Sequence, residues 1–257
     1  MSVYPPQTIV CLTEETVETL YLLGEQDRIV GVTGFAVRPP EVRREKPRVG
    51  AFTTADLPGI VALEPDLVLT FSDLQAPIAE ALIREGIVVH AFNQRSIAGI
   101  LAMIRTLGAL VGNPEHANAV AGELAERVER VREQNRSPSP VRVYFEEWDD
   151  PMITGIGWVS ELIGVAGGLD VFAEAGREQG AQQRVVTSEA VIEAAPEVII
   201  GSWCGKKLRP ERIAARDGWQ DIPAVRDNRI HEIKSPLILQ PGPAALTDGL
   251  DALVRLC

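Results

Sequence analysis

The sequence predicts an α/β protein built as two similar lobes joined by a long helix. Three observations lead there. A short apolar helical turn, a proline, an acid and a buried strand occur in order as Gly59-Ile-Val-Ala-Leu-Glu-Pro-Asp-Leu-Val-Leu-Thr-Phe71, and again as Val191-Ile-Glu-Ala-Ala-Pro-Glu-Val-Ile-Ile-Gly-Ser-Trp203. Pro65 aligns with Pro196, Asp66 with Glu197, and Leu67-Val68-Leu69 with Val198-Ile199-Ile200. Strand-like apolar runs alternate with helical patterns on both sides of the middle of the chain, which implies parallel or mostly parallel sheets. Between the two halves runs one long helical stretch charged along one side.

The elements follow in order. Ile9–Leu12 reads as a strand, and Thr13 offers a capping hydroxyl to a helix that Gly24 ends. Arg28–Val32 gives a second strand and Arg48–Gly50 a third, with loops at Thr33–Pro40 and Ala51–Asp56 behind them. In the repeated motif Pro65 stops a helical turn, because it lacks the N–H for the next helix bond and pushes its predecessor towards extended geometry. Leu67–Leu69 then reads as a strand buried on both faces. A helix over Pro77–Glu85 leads through Gly86 to the strand Ile87–Phe92.

Ser96 caps an apolar helix, Ile97–Val111, and Pro114 suits the first turn of the next, Glu115 to about Gln134. At 1.5 Å per residue, ~20 residues span ~30 Å, enough for a stiff backbone between lobes. Ser137-Pro-Ser-Pro140 closes it. The expected domains are therefore an N-terminal lobe (1–112), a connecting helix (113–137) and a C-terminal lobe (138–257).

The second lobe opens with the strand Val141–Phe145 and an acidic loop, Glu146-Glu-Trp-Asp-Asp-Pro151. Gly157-Trp158 begins a helix to Val165, and Thr187 or Ser188 caps the helix of the second motif copy. Helix Pro210–Arg216, strand Arg229–Ile233 and closing helix Ala244–Leu256 complete it.

Of 257 residues, 25 are Lys or Arg and 36 Asp or Glu, a net charge of −11. Without a basic block, nucleic acid is an unsuitable partner. Three cysteines, Cys11, Cys204 and Cys257, make no C-x-x-C spacing or disulfide framework, with a single bridge as the alternative. No apolar run reaches ~18 residues and no leader pattern precedes the first strand, so membrane insertion is not expected and the chain as written reads as cytoplasmic; a trimmed mature chain would be periplasmic. A monomer is expected.

Ligands of open α/β sheets bind beyond the carboxyl ends of strands. Those loops hold Leu12, Thr13, Phe35, Phe52, Thr53 and Phe71 in the first lobe, with Glu146, Trp148, Met152, Trp158, Trp203 and Leu237 in the second. Only 5% of the chain is aromatic, yet three of its four tryptophans follow second-lobe strands. The set suits an apolar interlobe cleft for a large flat ligand. The run Glu146–Asp150 reads as a solvated rim accepting hydrogen bonds from ligand amides, with a hard-cation site as the alternative. No catalytic constellation, phosphate loop or metal quartet can be assembled, which counts against the common enzyme classes, and no required cofactor is expected. Gly155-Ile-Gly157 lacks the third glycine and the strand context of a dinucleotide fingerprint. His90 reads as a sheet-end histidine, Cys204 as a small buried hydrophobe, and Trp219 as packing.

At Ile60–Val68, Tyr144–Pro151 with Ile153-Thr-Gly155, Trp158–Leu162, Gly167-Gly168 and Trp219–Ile230, the chain resembles the cobalamin-binding branch of the helical-backbone (class III) substrate-binding proteins. The resemblance covers nearly the whole chain. It implies two Rossmann-like lobes clamping a corrinoid, with Phe52 where relatives place a ring-packing tryptophan and Met152 where they place a ring-contacting phenylalanine. It also implies an ABC permease partner engaged by one acidic residue on each lobe; the first such position holds Pro58 here, with Asp56 nearby. The expected function is non-enzymatic binding of cobalamin or a related corrinoid for uptake, salvage or delivery. The alternatives are a haem or ferric-siderophore binder, with His90 or Cys204 as a haem donor, and a corrinoid-modifying enzyme.

Overall fold

The computed structural model describes residues 4–257. The chain divides into two compact units, the first running to Gln94 and including Ala98–Leu124, the second comprising Arg95–Ile97 and Ala125–Cys257.

The first unit carries β1 (Ile9–Cys11), α1 (Glu14–Leu22), β2 (Ile29–Val32), α2 (Val42–Glu45), α3 (Leu57–Ala62), β3 (Leu67–Phe71), α4 (Ala76–Arg84), β4 (Val89–Phe92) and α5 (Ile97–Leu110). Its four strands are all parallel in the order β2-β1-β3-β4. Every residue of β1 and β3 is buried, as expected for central strands covered on both faces. Val10, Leu12, Ile60, Val68 and Leu82 form much of the core. Arg48–Gly50 is not a full strand. It makes two isolated bridges, Arg48 parallel to Val32 and Gly50 antiparallel to Ala55, because the chain turns back on itself after Gly50.

α6 (Pro114–Gln134) is 21 residues long and contributes to both units. The second unit continues with β5 (Val141–Asp149), β6 (Met152–Thr154), α7 (Gly157–Val165), β7 (Gly168–Asp170), α8 (Ala173–Gly176), α9 (Ser188–Ala194), β8 (Val198–Gly201), α10 (Pro210–Ala214), α11 (Pro223–Arg226), β9 (Ile230–Glu232), α12 (Ser235–Ile238) and α13 (Leu250–Leu256). Its sheet runs β6-β5-β8-β9, with β7 also on β5. The expected acidic loop Glu146–Pro151 is largely strand: β5 continues to Asp149 and turns back into the antiparallel β6. The closing helix begins as a wide π-type turn at Ala245–Gly249. There a Cβ on Gly249 would stand 2.2 Å from the Leu237 carbonyl oxygen, so only glycine lets this helix approach α12.

The repeated motif folds alike in both units. α3 and α9 each end in a residue forced to positive φ directly before the proline, Glu64 at 48° and Ala195 at 43°. The acid after each proline then holds the backbone at the start of the strand next to it in the sheet, just before β1 in the first unit and at the second residue of β5 in the second. Asp66 Oδ2 accepts from the Gln7 and Thr8 amides at 2.8 and 3.1 Å, and Glu197 Oε2 accepts from the Arg142 amide at 2.9 Å. The strands that follow, β3 and β8, pair parallel with β1 and β5. Pro stops the helix, the acid fixes the register, and the apolar run enters the sheet.

Candidate functional site

In the first unit the carboxyl ends of the strands are bound together by one side chain. Gln75, fully buried, accepts from the Phe71 amide at 2.9 Å and donates to the carbonyls of Leu12 (3.1 Å) and Phe52 (2.7 Å). It therefore fixes the ends of β1 and β3 and the loop bearing Phe52 as one frame. A second tie joins the loops after β2 and around residue 50: the Gly34 amide donates to the Gly50 carbonyl at 2.7 Å. Gly50 sits at φ 157°, where a Cβ would meet the Thr54 carbonyl at 2.4 Å, so the tight turn Ala51–Thr54 depends on it. On this frame Phe35 is 42% exposed, Thr53 is exposed and Phe52 half-buried, whereas Leu12, Thr13 and Phe71 are buried.

Thr13 does not cap α1 with its side chain; its hydroxyl pairs with that of Thr16 at 3.3 Å. The start of α1 holds two carboxyls in low-polarity surroundings. Burial, helped by neighbouring carboxylates, pushes Glu14 up to about 8, and burial pushes Glu15 up to about 7. One Glu15 oxygen has no hydrogen-bond partner.

In the second unit the end of β5 is organised around Glu146, and here expectation needs correction. Glu146 is fully buried and not on a solvated rim. It accepts from Arg216 at 2.5 and 2.9 Å, Trp203 Nε1 at 3.1 Å and the Tyr144 hydroxyl at 3.1 Å. Buried charge demands such pairing, and it leaves neither oxygen for ligand amides. Arg216 also stacks over Trp219 at 4.6 Å, and Trp219 is core, donating to Ser188 Oγ at 2.7 Å. Trp203 is only 3% exposed, its N–H taken by Glu146. Trp158 is likewise interior, donating to the Ile238 carbonyl at 2.8 Å and so supporting α12, which carries the half-buried Leu237.

Trp148 and Met152 remain half-buried on the β5–β6 hairpin. Lys206 lies over the Trp148 ring at 4.0 Å and the Trp203 ring at 5.0 Å while its ammonium is ion-paired with Asp149. Burial alone would raise Asp149, but the bond and charge of Lys206 outweigh it and hold the carboxyl below its usual range. Glu147 is paired with the buried Arg184 at 2.5 Å. Three of the four acids in the Glu146–Asp150 run are thus spent on three cations, with Asp150 exposed, and among the described residues no group of three His, Cys, Asp or Glu is placed to hold a metal. His90 is half-buried edge-on to Phe92 at 4.3 Å, and burial lowers its pKa, keeping the ring neutral near pH 7. Cys204 is exposed rather than buried. Asp56 is exposed and accepts from the Gly59 amide, capping α3, whose first turn contains Pro58. No helix among the described residues is long and apolar enough to cross a membrane.

Gln75, Lys206 and Arg216 were not expected at these positions. Each has a partner 57 or more residues away in sequence, so nothing local marks its role.

Comparison with known proteins extends this picture. The vitamin B12-binding protein of Vibrio cholerae is 26% identical over 261 residues, covering 99% of this chain and 89% of that protein. An uncharacterized ABC transporter substrate-binding lipoprotein of Bacillus subtilis, YvrC, is also 26% identical, covering 97% and 79%. Among solved structures, the periplasmic heme-binding protein RhuT from Roseiflexus superposes with a TM-score of 0.83 at 26% identity, covering 97% of this chain and 98% of that one. The vitamin B12 binding protein BtuF of Vibrio cholerae gives 0.77 at 24%, covering 98% and 96%, a likeness of fold. With the model of the periplasmic binding protein family matching residues 9–237, and with two α/β units each carrying the same helix–proline–acid–strand motif, the chain belongs to the periplasmic binding protein family.

Proposed function

We propose that this protein binds a corrinoid without transforming it, using strand-end loops. The observation that carries the reading is the frame set by Gln75 in the first unit, which presents Phe52 and Phe35 from two tied loops; the second unit separately carries Trp148 and the apolar Met152 on its β5–β6 hairpin. Apolar and aromatic surface with few unpaired charges suits a large flat ring. The names of relatives, vitamin B12-binding in Vibrio and cobalamin-binding in Halobacterium salinarum, support it. Burial of ~400 Å² of apolar ligand surface at ~25 cal/mol/Å² gives ~10 kcal/mol gross, much of it offset by ordering and desolvation. Affinity between micromolar and nanomolar follows. An ABC permease in an export compartment is the partner this reading implies, with Asp56 as the acidic contact in place of Pro58.

The test is a titration with cyano-, hydroxo- and adenosylcobalamin. A shift of the visible spectrum and a raised melting temperature are expected; no change at saturating ligand rejects the reading. The likeness to RhuT favours haem as the second reading. Haem would bring a Soret shift, lost in His90→Ala if that imidazole is the axial donor.

A further inference from the structure

Lysine is scarce in this chain. There are four, Lys46, Lys206, Lys207 and Lys234, against a net charge of −11. Three of them line one hollow of about 390 Å³ at the carboxyl ends of β8 and β9, together with Trp203, Glu232 and Ser235. Such a gathering in an acidic protein makes a local field opposite in sign to the rest of the molecule. The charges are not equivalent. Lys206 is held by Asp149 and lies over the two tryptophan rings, so it closes one wall. Glu232 Oε1 accepts from the Leu208 amide at 3.0 Å, which turns that oxygen to the backbone. Lys207 and Lys234 are exposed and make no ion pair among the described residues, leaving two ammonium groups at the mouth.

We propose that this hollow is a phosphate-recognition subsite, with Lys207 and Lys234 as its cationic pair and Lys206 as the wall shared with the aromatic surface. The position is where α/β sheets take ligands, and it is continuous, through Lys206, with Trp148 and Trp203. Resting on the corrinoid reading, the inference adds the ligand class: a corrinoid that carries a phosphodiester on its nucleotide loop, preferred over one lacking that loop. Ammonium–phosphate bonds are charge-assisted yet partly exposed here, so the preference is on the order of tenfold and falls with salt.

The experiment compares cobalamin with cobinamide, which lacks the nucleotide loop and its phosphate, on the full chain and on the double variant Lys207→Gln/Lys234→Gln. A second arm titrates inorganic phosphate while following the amide resonances of Gly205 and Ser235, which line the hollow. The proposal expects the double variant, with unchanged melting temperature, to weaken cobalamin by about tenfold and cobinamide by less than about twofold. It also expects saturable phosphate shifts that the variant abolishes and Lys207→Arg/Lys234→Arg retains. Equal loss for both corrinoids, or no loss for either, overturns the proposal, as does the absence of phosphate shifts. If neither corrinoid binds but phosphate shifts both amides, the corrinoid reading fails while phosphate recognition stands.

Discussion

Gln75 shows how one side chain can set a surface it does not itself present. Its amide supplies one acceptor and two donors to three separate segments, and all three partners are backbone groups near the strand ends. Replacement by alanine leaves the buried Leu12 carbonyl short of a donor. A loss of about 2–3 kcal/mol is expected, read as a melting temperature lower by several degrees, together with weaker ligand binding as the Phe52 loop loosens. Glutamate at the same place would lack the donors and fare no better. Glu15 makes a prediction of opposite character. Its carboxyl is pushed up to about 7 by burial in the folded chain, above its ordinary value of 4.5. The folded state therefore holds its proton where the unfolded state has released it, so stability is full below about pH 4.5 and declines as pH rises through 7. Glu14, pushed up to about 8, extends the decline. Glu15→Gln should flatten the curve and raise the melting temperature at pH 8 relative to the parent protein; a fall at that pH would contradict the assignment. Lys206→Ala removes the cation lying over Trp148 and should uncover that ring, measurable as increased quenching of tryptophan fluorescence by acrylamide.

At the scale of elements, the helix–proline–acid–strand unit was legible because its information is local. Proline ends a helix wherever it falls, and an unbroken apolar run after it has few other places to go. What the repeat did not disclose was the positive φ at Glu64 and Ala195, a conformation costly for side chains with a Cβ. Glycine at either place should stabilise the protein by about 0.5–1 kcal/mol, the relief of strain exceeding the added freedom of the unfolded chain; chemical denaturation of the two single variants measures it. Elements whose cause is distant were missed. β7 is only Gly168-Leu-Asp170, held by pairing to β5 rather than by pattern. The hairpin of β5 and β6 hid behind Glu-Glu-Trp-Asp-Asp, which reads as a polar loop until its cations are known. Arg216 stands 70 residues from Glu146, and Lys206 stands 57 from Asp149. Carboxylates spaced so far from their partners look solvated in the sequence. Trp203 and Trp158 were correctly placed near strand ends, but the hydrogen bonds that draw them inward come from elsewhere in the unit.

For the whole molecule, the repeat, the long α6 and the alternation of strands and helices pointed to two α/β lobes, while the resemblance at Ile60–Val68, Tyr144–Pro151 and Trp219–Ile230 pointed to the substrate-binding family, and the family match over residues 9–237 agrees. The ligand was less legible, since relatives of similar likeness are named for vitamin B12 and for heme. The corrinoid remains the proposal, motivated by Phe35 and Phe52 on the tied loops of the first unit and by Trp148 on the hairpin of the second, where Glu146, Glu147 and Asp149 are already paired. A spectral titration of the purified protein with hydroxocobalamin tests that claim most directly. The account predicts a saturable change in the visible bands with a dissociation constant at or below the micromolar range, weakened when Phe52 is replaced by alanine. Bands that stay unchanged at saturating cobalamin, with a Soret shift on adding haem instead, would contradict it.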